Sequence, residues 1–172
     1  NFFTDNLKFL HIAPEYCFIK LFKNMKNIDY TTGDLISPWA DVMMDVHDIP
    51  FNENSFDVVI CNHVLEHVDD SQKVMTEFYR VMKPGGWGIF QVPIDNQNPL
   101  TIEDKSVVNP KEREKLYWQS DHLRLFGRDY GDRLAAAGFK VTESDFINEI
   151  DPKLVERYAL PKNELVYYCE KI

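Results

Sequence analysis

The sequence predicts an α/β fold, a doubly wound and mostly parallel sheet with helices on both faces, in three layers. Two observations carry this. First, Val58 to Cys61 is a short apolar, β-branched run without alternation, the pattern of a strand buried on both faces as in a parallel sheet. Second, strand patterns alternate with helical ones along the chain, which implies β-α-β units with right-handed crossovers.

The elements follow in order. Leu7 to Ala13 reads as the first strand. Pro14 then suits the first turn of a helix, where a missing N–H costs nothing. Phe18, Leu21, Phe22 and Met25 share one face, so Glu15 to Met25 is an amphipathic helix. Ile28 to Thr32 is the second strand, ended by Gly33-Asp34, and Asp41 to Val46 is the third. After Val58 to Cys61, Asp69 and Gln72 have capping-box spacing. The helix beginning near Ser71 carries Val74, Phe78 and Val81 on one face. Lys83-Pro84-Gly85-Gly86 stops it, and Trp87 to Val92 is the next strand. Asp95 to Ser120 is polar and long for a connection, as lids and binding loops are. Arg128 to Ala137 is a helix capped by Gly138, Phe139 to Phe146 a strand, Pro152 to Tyr158 a short helix, and Leu165 to Cys169 a final buried strand.

The run from Phe56 to Pro93, FDVVICNHVLEHVDD…EFYRVMKPGGWGIFQVP, closely resembles class I S-adenosylmethionine (SAM)-dependent methyltransferases of the small-molecule type. The resemblance extends from about Leu7 to the C-terminus. It implies a Rossmann-like sheet of seven strands with the last inserted antiparallel, SAM as cofactor, and methyl transfer to a small molecule. It is specific for the fold and much less so for the acceptor.

Composition agrees with one globular domain. The chain has 172 residues, 44% of them hydrophobic, enough to bury a core unaided. The formal net charge of −9 fits a soluble cytoplasmic surface. It comes with no basic stripe, so a nucleic-acid partner is not expected. No run approaches the ~20 apolar residues of a membrane span. The three cysteines, Cys17, Cys61 and Cys169, lie far apart in apolar runs and are expected to be buried free thiols. The chain starts with Asn rather than Met, close to its first strand, and an N-terminal portion is expected to be missing. Composition does not bear on oligomeric state.

In open α/β sheets ligands lie beyond the carboxyl ends of the strands, at the switch point. Asp34 follows the first turn at the spacing where an acid meets ribose hydroxyls; the simpler reading is a turn aspartate capping local backbone. Met44 to Phe51 is similar to the family's Gly-Asp-Ala-x-x-Leu-Pro-Phe segment. That match implies that Asp45 accepts from the adenine amino group and that Val46 offers its N–H. Asn62 and His63 would stand beside the sulfonium.

The first turn departs from the family. Where Asp-x-Gly-x-Gly is usual, the chain has His11-Ile12-Ala13-Pro14-Glu15. Ala13 adds a methyl and Pro14 removes an N–H, which weakens a phosphate cradle and argues against NAD. SAM carries no phosphate, and Glu15 could pair with its ammonium. Equally, Glu15 could simply be a favourable charge at a helix N-terminus. His11 reads more readily as a satisfied strand-end histidine than as a ligand. The glycine-poor turn also motivates a rival function, a methyltransferase-like module that no longer binds the cofactor.

Methyl transfer to a hydroxyl or amine needs a base, and histidine suits neutral pH. His63 at the mouth of the fourth strand is one candidate and His122 the other. In the resembled family a His-x-Arg-x-Phe run lies near the substrate, which implies a role for Arg124 in holding an anionic group. The simpler alternative is structural, with His63 orienting the turn and Arg124 pairing with a surface acid. His63-Val64-Leu65-Glu66-His67 also spells His-x-x-Glu-His, the inverted zinc-peptidase motif. Zinc would need both histidines on one helical face and a third ligand. The segment reads instead as the turn into a helix, so the match is taken as accidental and no metal is expected.

Overall fold

A computed structural model describes residues 1–161 and 164–172. Its centre is a seven-stranded sheet. Strand β1 is Leu7–Ile12, β2 Ile28–Asp34, β3 Val42–Met43, β4 Phe56–Asn62, β5 Met82–Gln91, β8 Lys140–Ser144 and β9 Val166–Glu170. They lie in the order β3-β2-β1-β4-β5-β9-β8. The first five run parallel, and β9 is inserted antiparallel to both β5 and β8. The expected Rossmann-like architecture is therefore present.

Side-chain alternation divides the core. Phe9 and Val58 enter one cluster, while their neighbours Leu10 and Val59 enter the other. Helix α2, Ser71–Val81, lays Val74, Met75, Phe78 and Val81 on the second face, all fully buried. Burying each such side chain is worth about 1.5–3 kcal/mol. Helix α4, Tyr130–Ala136, adds Tyr130 and Leu134 to the same face. On the opposite face helix α1, Tyr16–Lys23, contributes Phe22, whose ring meets that of Phe9 edge-on at 5.1 Å.

Several local expectations need correction. Helix α2 is capped by Asp70, whose Oδ1 accepts from Lys73 N–H at 2.9 Å, so the cap lies one residue beyond the Asp69–Gln72 pairing. Lys83 to Gly86 belong to β5 as a bulge. Phe56 pairs with Met82 and Val58 already with Trp87, leaving the four residues between without partners on β4. Gly85 supplies the φ of 78° that the bulge requires. The third strand shrinks to two residues. Helix α1 is shorter than its pattern and buries nothing completely: Phe18 and Leu21 stay exposed and only part of the apolar face reaches the sheet. Cys17 on that helix is likewise exposed, whereas Cys61 and Cys169 are buried as expected.

The largest departure is in the Asp95–Ser120 segment, which is not structureless. Strand β6, Ile102–Glu103, pairs antiparallel with β7, Arg124–Leu125. Helix α3, Pro110–Tyr117, starts with Pro110 in its first turn, and the cap Asn109 accepts from Lys111 N–H. After β8 come a short 3-10 turn at Phe146–Glu149 and helix α5, Pro152–Arg157. No helix among the described residues is long and apolar enough to cross a membrane.

Candidate functional site

Two adjoining cavities open at the carboxyl edge of the parallel strands. The first, of about 360 Å³, is lined by Ile12 and Ala13 after β1, Asp34 and Leu35 after β2, Met44 to His47 after β3, and Val64, His67, Val68 and Asp69 after β4. It lies where β1 and β4 are neighbours and the strand order reverses, the position the topology favours for a ligand. The second, of about 390 Å³, is lined by His63, the strand-end residues Val92, Pro93 and Ile94, and Trp118 and Tyr167 among others.

Ala13 and His63, at the ends of the two central strands, both have left-handed backbone, with φ of 48° and 55°. Such conformations are strained for residues with a Cβ and recur at ligand sites. Ala13 thus takes the backbone shape that a glycine would take, despite its methyl. Its N–H donates to Gly33 O at 2.8 Å, which ties the turn to β2.

Of the residues expected at a cofactor, Ala13, Asp34, Asp45 and Val46 line the first cavity together. Asp34 also does what the simpler reading required, since its Oδ1 accepts from the N–H groups of Ile36 and Ser37 at 2.9 and 2.8 Å. Asp45 Oδ1 accepts from His47 N–H at 2.8 Å and from His47 Nδ1 at 2.7 Å. These bonds, led by the backbone one, hold its carboxyl below the usual carboxylate range. Asp70 N–H donates to His47 Nε2 at 3.4 Å.

His11, Glu15 and Asn62 do not line either cavity. They form a polar string beneath the first turn. Asn62 Nδ2 donates to Glu15 Oε1 at 2.8 Å, Glu15 Oε2 lies 2.9 Å from His11 Nε2, and His11 Nδ1 is 2.8 Å from the Tyr30 hydroxyl. Burial lowers the pKa of His11 against the pull of Glu15, which leaves it neutral. For Glu15, burial acts upward, but the bonds from Asn62, its own backbone N–H and His11 prevail, and its pKa falls. His11 is therefore a support for Glu15 rather than a ligand. The string is not saturated: Glu15 Oε2, His11 Nε2 and Asn62 Oδ1 are buried with no well-aligned partner among the described residues. Two of these three atoms are acceptors, the kind a bound ammonium would satisfy.

The proposed chemical residues separate. His63 lines the second cavity, and its Nδ1 lies 3.4 Å from Glu66 Oε1. His122 is buried, donates from Nδ1 to Tyr117 O at 2.7 Å and lines neither cavity. The candidate base His122 therefore does not stand at either cavity. Arg124 is 1% exposed. Its guanidinium donates to the carbonyls of Leu65, Val68 and Asp69 and to Glu103 Oε1. Its two terminal nitrogens are committed to these acceptors, and the residue lines neither cavity. Residues not nominated from sequence also enter: Val64 and Val68 line the first cavity, and Tyr167 lines the second with Trp118. A turn after a buried strand could have pointed to the valines; nothing local marked Tyr167.

Comparison with known proteins agrees with this geometry. A methyltransferase domain model matches residues 17–90. A stretch of 42 residues, 24% of this chain, is 45% identical to a ubiquinone/menaquinone biosynthesis C-methyltransferase of Desulfotalea psychrophila, and that stretch spans only 17% of the relative's length. Among solved structures, the Burkholderia thailandensis 1,6-didemethyltoxoflavin-N1-methyltransferase, solved with 1,6-didemethyltoxoflavin and S-adenosylhomocysteine, superposes with a TM-score of 0.66 at 16% identity, covering 97% of this chain and 72% of that one. The cyclase SpnF superposes with a TM-score of 0.62 at 13% identity, covering 98% and 76%. The strand order and these neighbours show the fold of class I methyltransferases, and within it residues 17–90 match a methyltransferase domain.

Proposed function

We propose that this chain binds SAM in the first cavity and transfers its methyl group to a small molecule held in the second. The observation that supports this most is the convergence of Ala13, Asp34, Asp45 and Val46 on one cavity at the switch point. The chain's residues suit the group. Asp34 has an oxygen beyond its turn cap for ribose hydroxyls. Asp45 is an ionised acceptor for the adenine amino group. Glu15 and Asn62 lie behind the cavity lining, under the first turn, so the ammonium would reach their acceptor oxygens only if that turn opens. The left-handed Ala13 keeps the shape of the turn, which argues against the reading of a module that has lost its cofactor.

When bound, SAM supplies a methyl on a sulfonium already activated for displacement. The protein's part is alignment, exclusion of water and proton removal. His63 is the base on this reading: Glu66 holds the ring from the Nδ1 side, and Nε2 is left to take the proton of a hydroxyl or amine. Val92, Pro93, Ile94, Trp118 and Tyr167 make the second cavity largely apolar and partly aromatic, which suits a flat, mostly apolar acceptor. The C-methyltransferase relative is named for ubiquinone and menaquinone biosynthesis, and a quinone-like ring belongs in the first acceptor panel.

Calorimetric titration with SAM and with its demethylated product tests the binding step. Binding is expected, and Asp34→Asn, which keeps an oxygen for the turn, should weaken it by about 1–3 kcal/mol through one mispaired group. Absence of both heat and thermal shift at millimolar SAM would remove the proposal for this chain.

A further inference from the structure

The turn between β4 and α2 carries Glu66 and His67, and the segment after α3 carries His122. The fold brings them together: one carboxylate oxygen of Glu66, one ring nitrogen of His67 and one of His122 all lie within 4.8 Å of one another. We propose that these three side chains form a binding site for a divalent transition-metal ion.

Several features of the cluster support it. Glu66 is 1% exposed. Its Oε1 stands 3.4 Å from His63 Nδ1, while Oε2 is buried with no hydrogen-bond partner among the described residues. A buried carboxylate oxygen without a partner is costly unless something positive meets it. His122, 4% exposed, donates from Nδ1 to Tyr117 O at 2.7 Å, so Nε2 is the nitrogen not used by that bond. His67 Nδ1 lies 3.4 Å from Asp121 Oδ2. His122 is thus held at Nδ1 by a carbonyl and His67 has a carboxylate beside its Nδ1, which would leave Nε2 of each ring for a metal. This is the outer-shell arrangement that orients ligating histidines. The rings meet edge to face, 83° apart with centroids at 4.8 Å. Arg124 is the nearby opposing charge, and Glu103 Oε1 pairs with it at 2.9 Å.

Two imidazoles and one carboxylate select zinc, iron(II), cobalt or nickel over magnesium or calcium, which prefer all-oxygen shells. Metal–ligand distances of about 2.0–2.2 Å require the trio to draw inward slightly. Three protein ligands leave a position open, and His67 also lines the first cavity. Along the chain, His63-x-x-Glu66-His67 reads as the turn into a helix, with neither both histidines on one helical face nor a third ligand in sight. The fold supplies that ligand from a distant segment, and it is His122 rather than His63. An ion here would also fasten the turn after β4 to the segment bearing Trp118.

The test is direct and independent of methyl transfer. Chelator-stripped protein is titrated with cobalt(II) and zinc(II), following visible d–d absorption, heat and thermal stability. Stoichiometric uptake is expected, with a stabilisation on the order of 5 °C at saturating metal. Glu66→Gln and His122→Ala should each weaken uptake at least about tenfold, while His63→Ala should leave it nearly unchanged. Glu66→Gln is isosteric and decides the matter if His122→Ala fails to fold. No uptake at a roughly hundredfold excess of metal would overturn the proposal, leaving Glu66 paired only with histidine. So would uptake that is indifferent to Glu66→Gln, or uptake lost in His63→Ala but kept in His122→Ala.

Discussion

Ala13 shows how much a single residue carries here. Its φ of 48° lies where glycine is at ease and alanine is strained, by roughly 1–2 kcal/mol for the left-handed region. The Ala13 N–H bond to Gly33 O and the crossing to Pro14 keep it there. Ala13→Gly should therefore raise unfolding stability by up to about 1 kcal/mol in urea titrations, the relieved strain exceeding the added freedom of the unfolded chain. SAM affinity should not fall. A stability equal to or below wild type would mean that the methyl's packing offsets the strain. Other residues show how identity underdetermines role. Asp34 is both a turn cap and a cavity wall. Arg124, in a His-x-Arg-x-Phe run, spends its donors on backbone carbonyls.

Among the elements, the segment between β5 and α4 matters most for specificity. Helix α3 ends at Tyr117, which is fully buried, and its hydroxyl accepts from Asp104 N–H at 3.0 Å. Trp118 follows in left-handed conformation, half-exposed, against the second cavity. The helix end is thus anchored by one aromatic residue and presents the next. Trp118→Ala should reduce acceptor turnover by raising KM for the acceptor at least severalfold, while SAM affinity by calorimetry stays within about twofold, since Trp118 lines only the second cavity. Equal loss of both would place the segment under the cofactor instead. Length and polarity were enough to single out 95–120 as more than a connection. They did not reveal β6, because a two-residue strand has no period of its own and forms only when β7 lies beside it.

At the scale of the molecule, close packing in the middle of the sheet is what the fold depends on. Gly88 of β5 pairs with Val59 of β4 and Cys169 of β9. A Cβ there would sit 2.6 Å from Val59 O and 2.6 Å from the Phe90 ring. Gly88→Ala should destabilise by about 1–3 kcal/mol or more, the range for overpacking, with an unfolding midpoint shift that leaves the urea m-value unchanged. A loss under about 0.5 kcal/mol would show that the sheet yields at this point.

The sequence by itself determined the buried strands, the α2 face and the strand ends that would meet at one edge, because these depend on local period and on topology rules that hold for any parallel sheet. Val58–Cys61 and Val74–Val81 are legible for that reason, and so are Asp34 and Asp45 as cavity residues. Only the tertiary structure decided which side chains touch across the chain: Arg124 under the carbonyls of Leu65 and Val68, Glu15 between Asn62 and His11, and His122 beside Glu66 and His67. Apart from His11 with Glu15, those contacts join residues far apart in sequence. They arise from the route the chain takes between elements and from the need of each buried charge for a partner, and no periodicity along the chain encodes either.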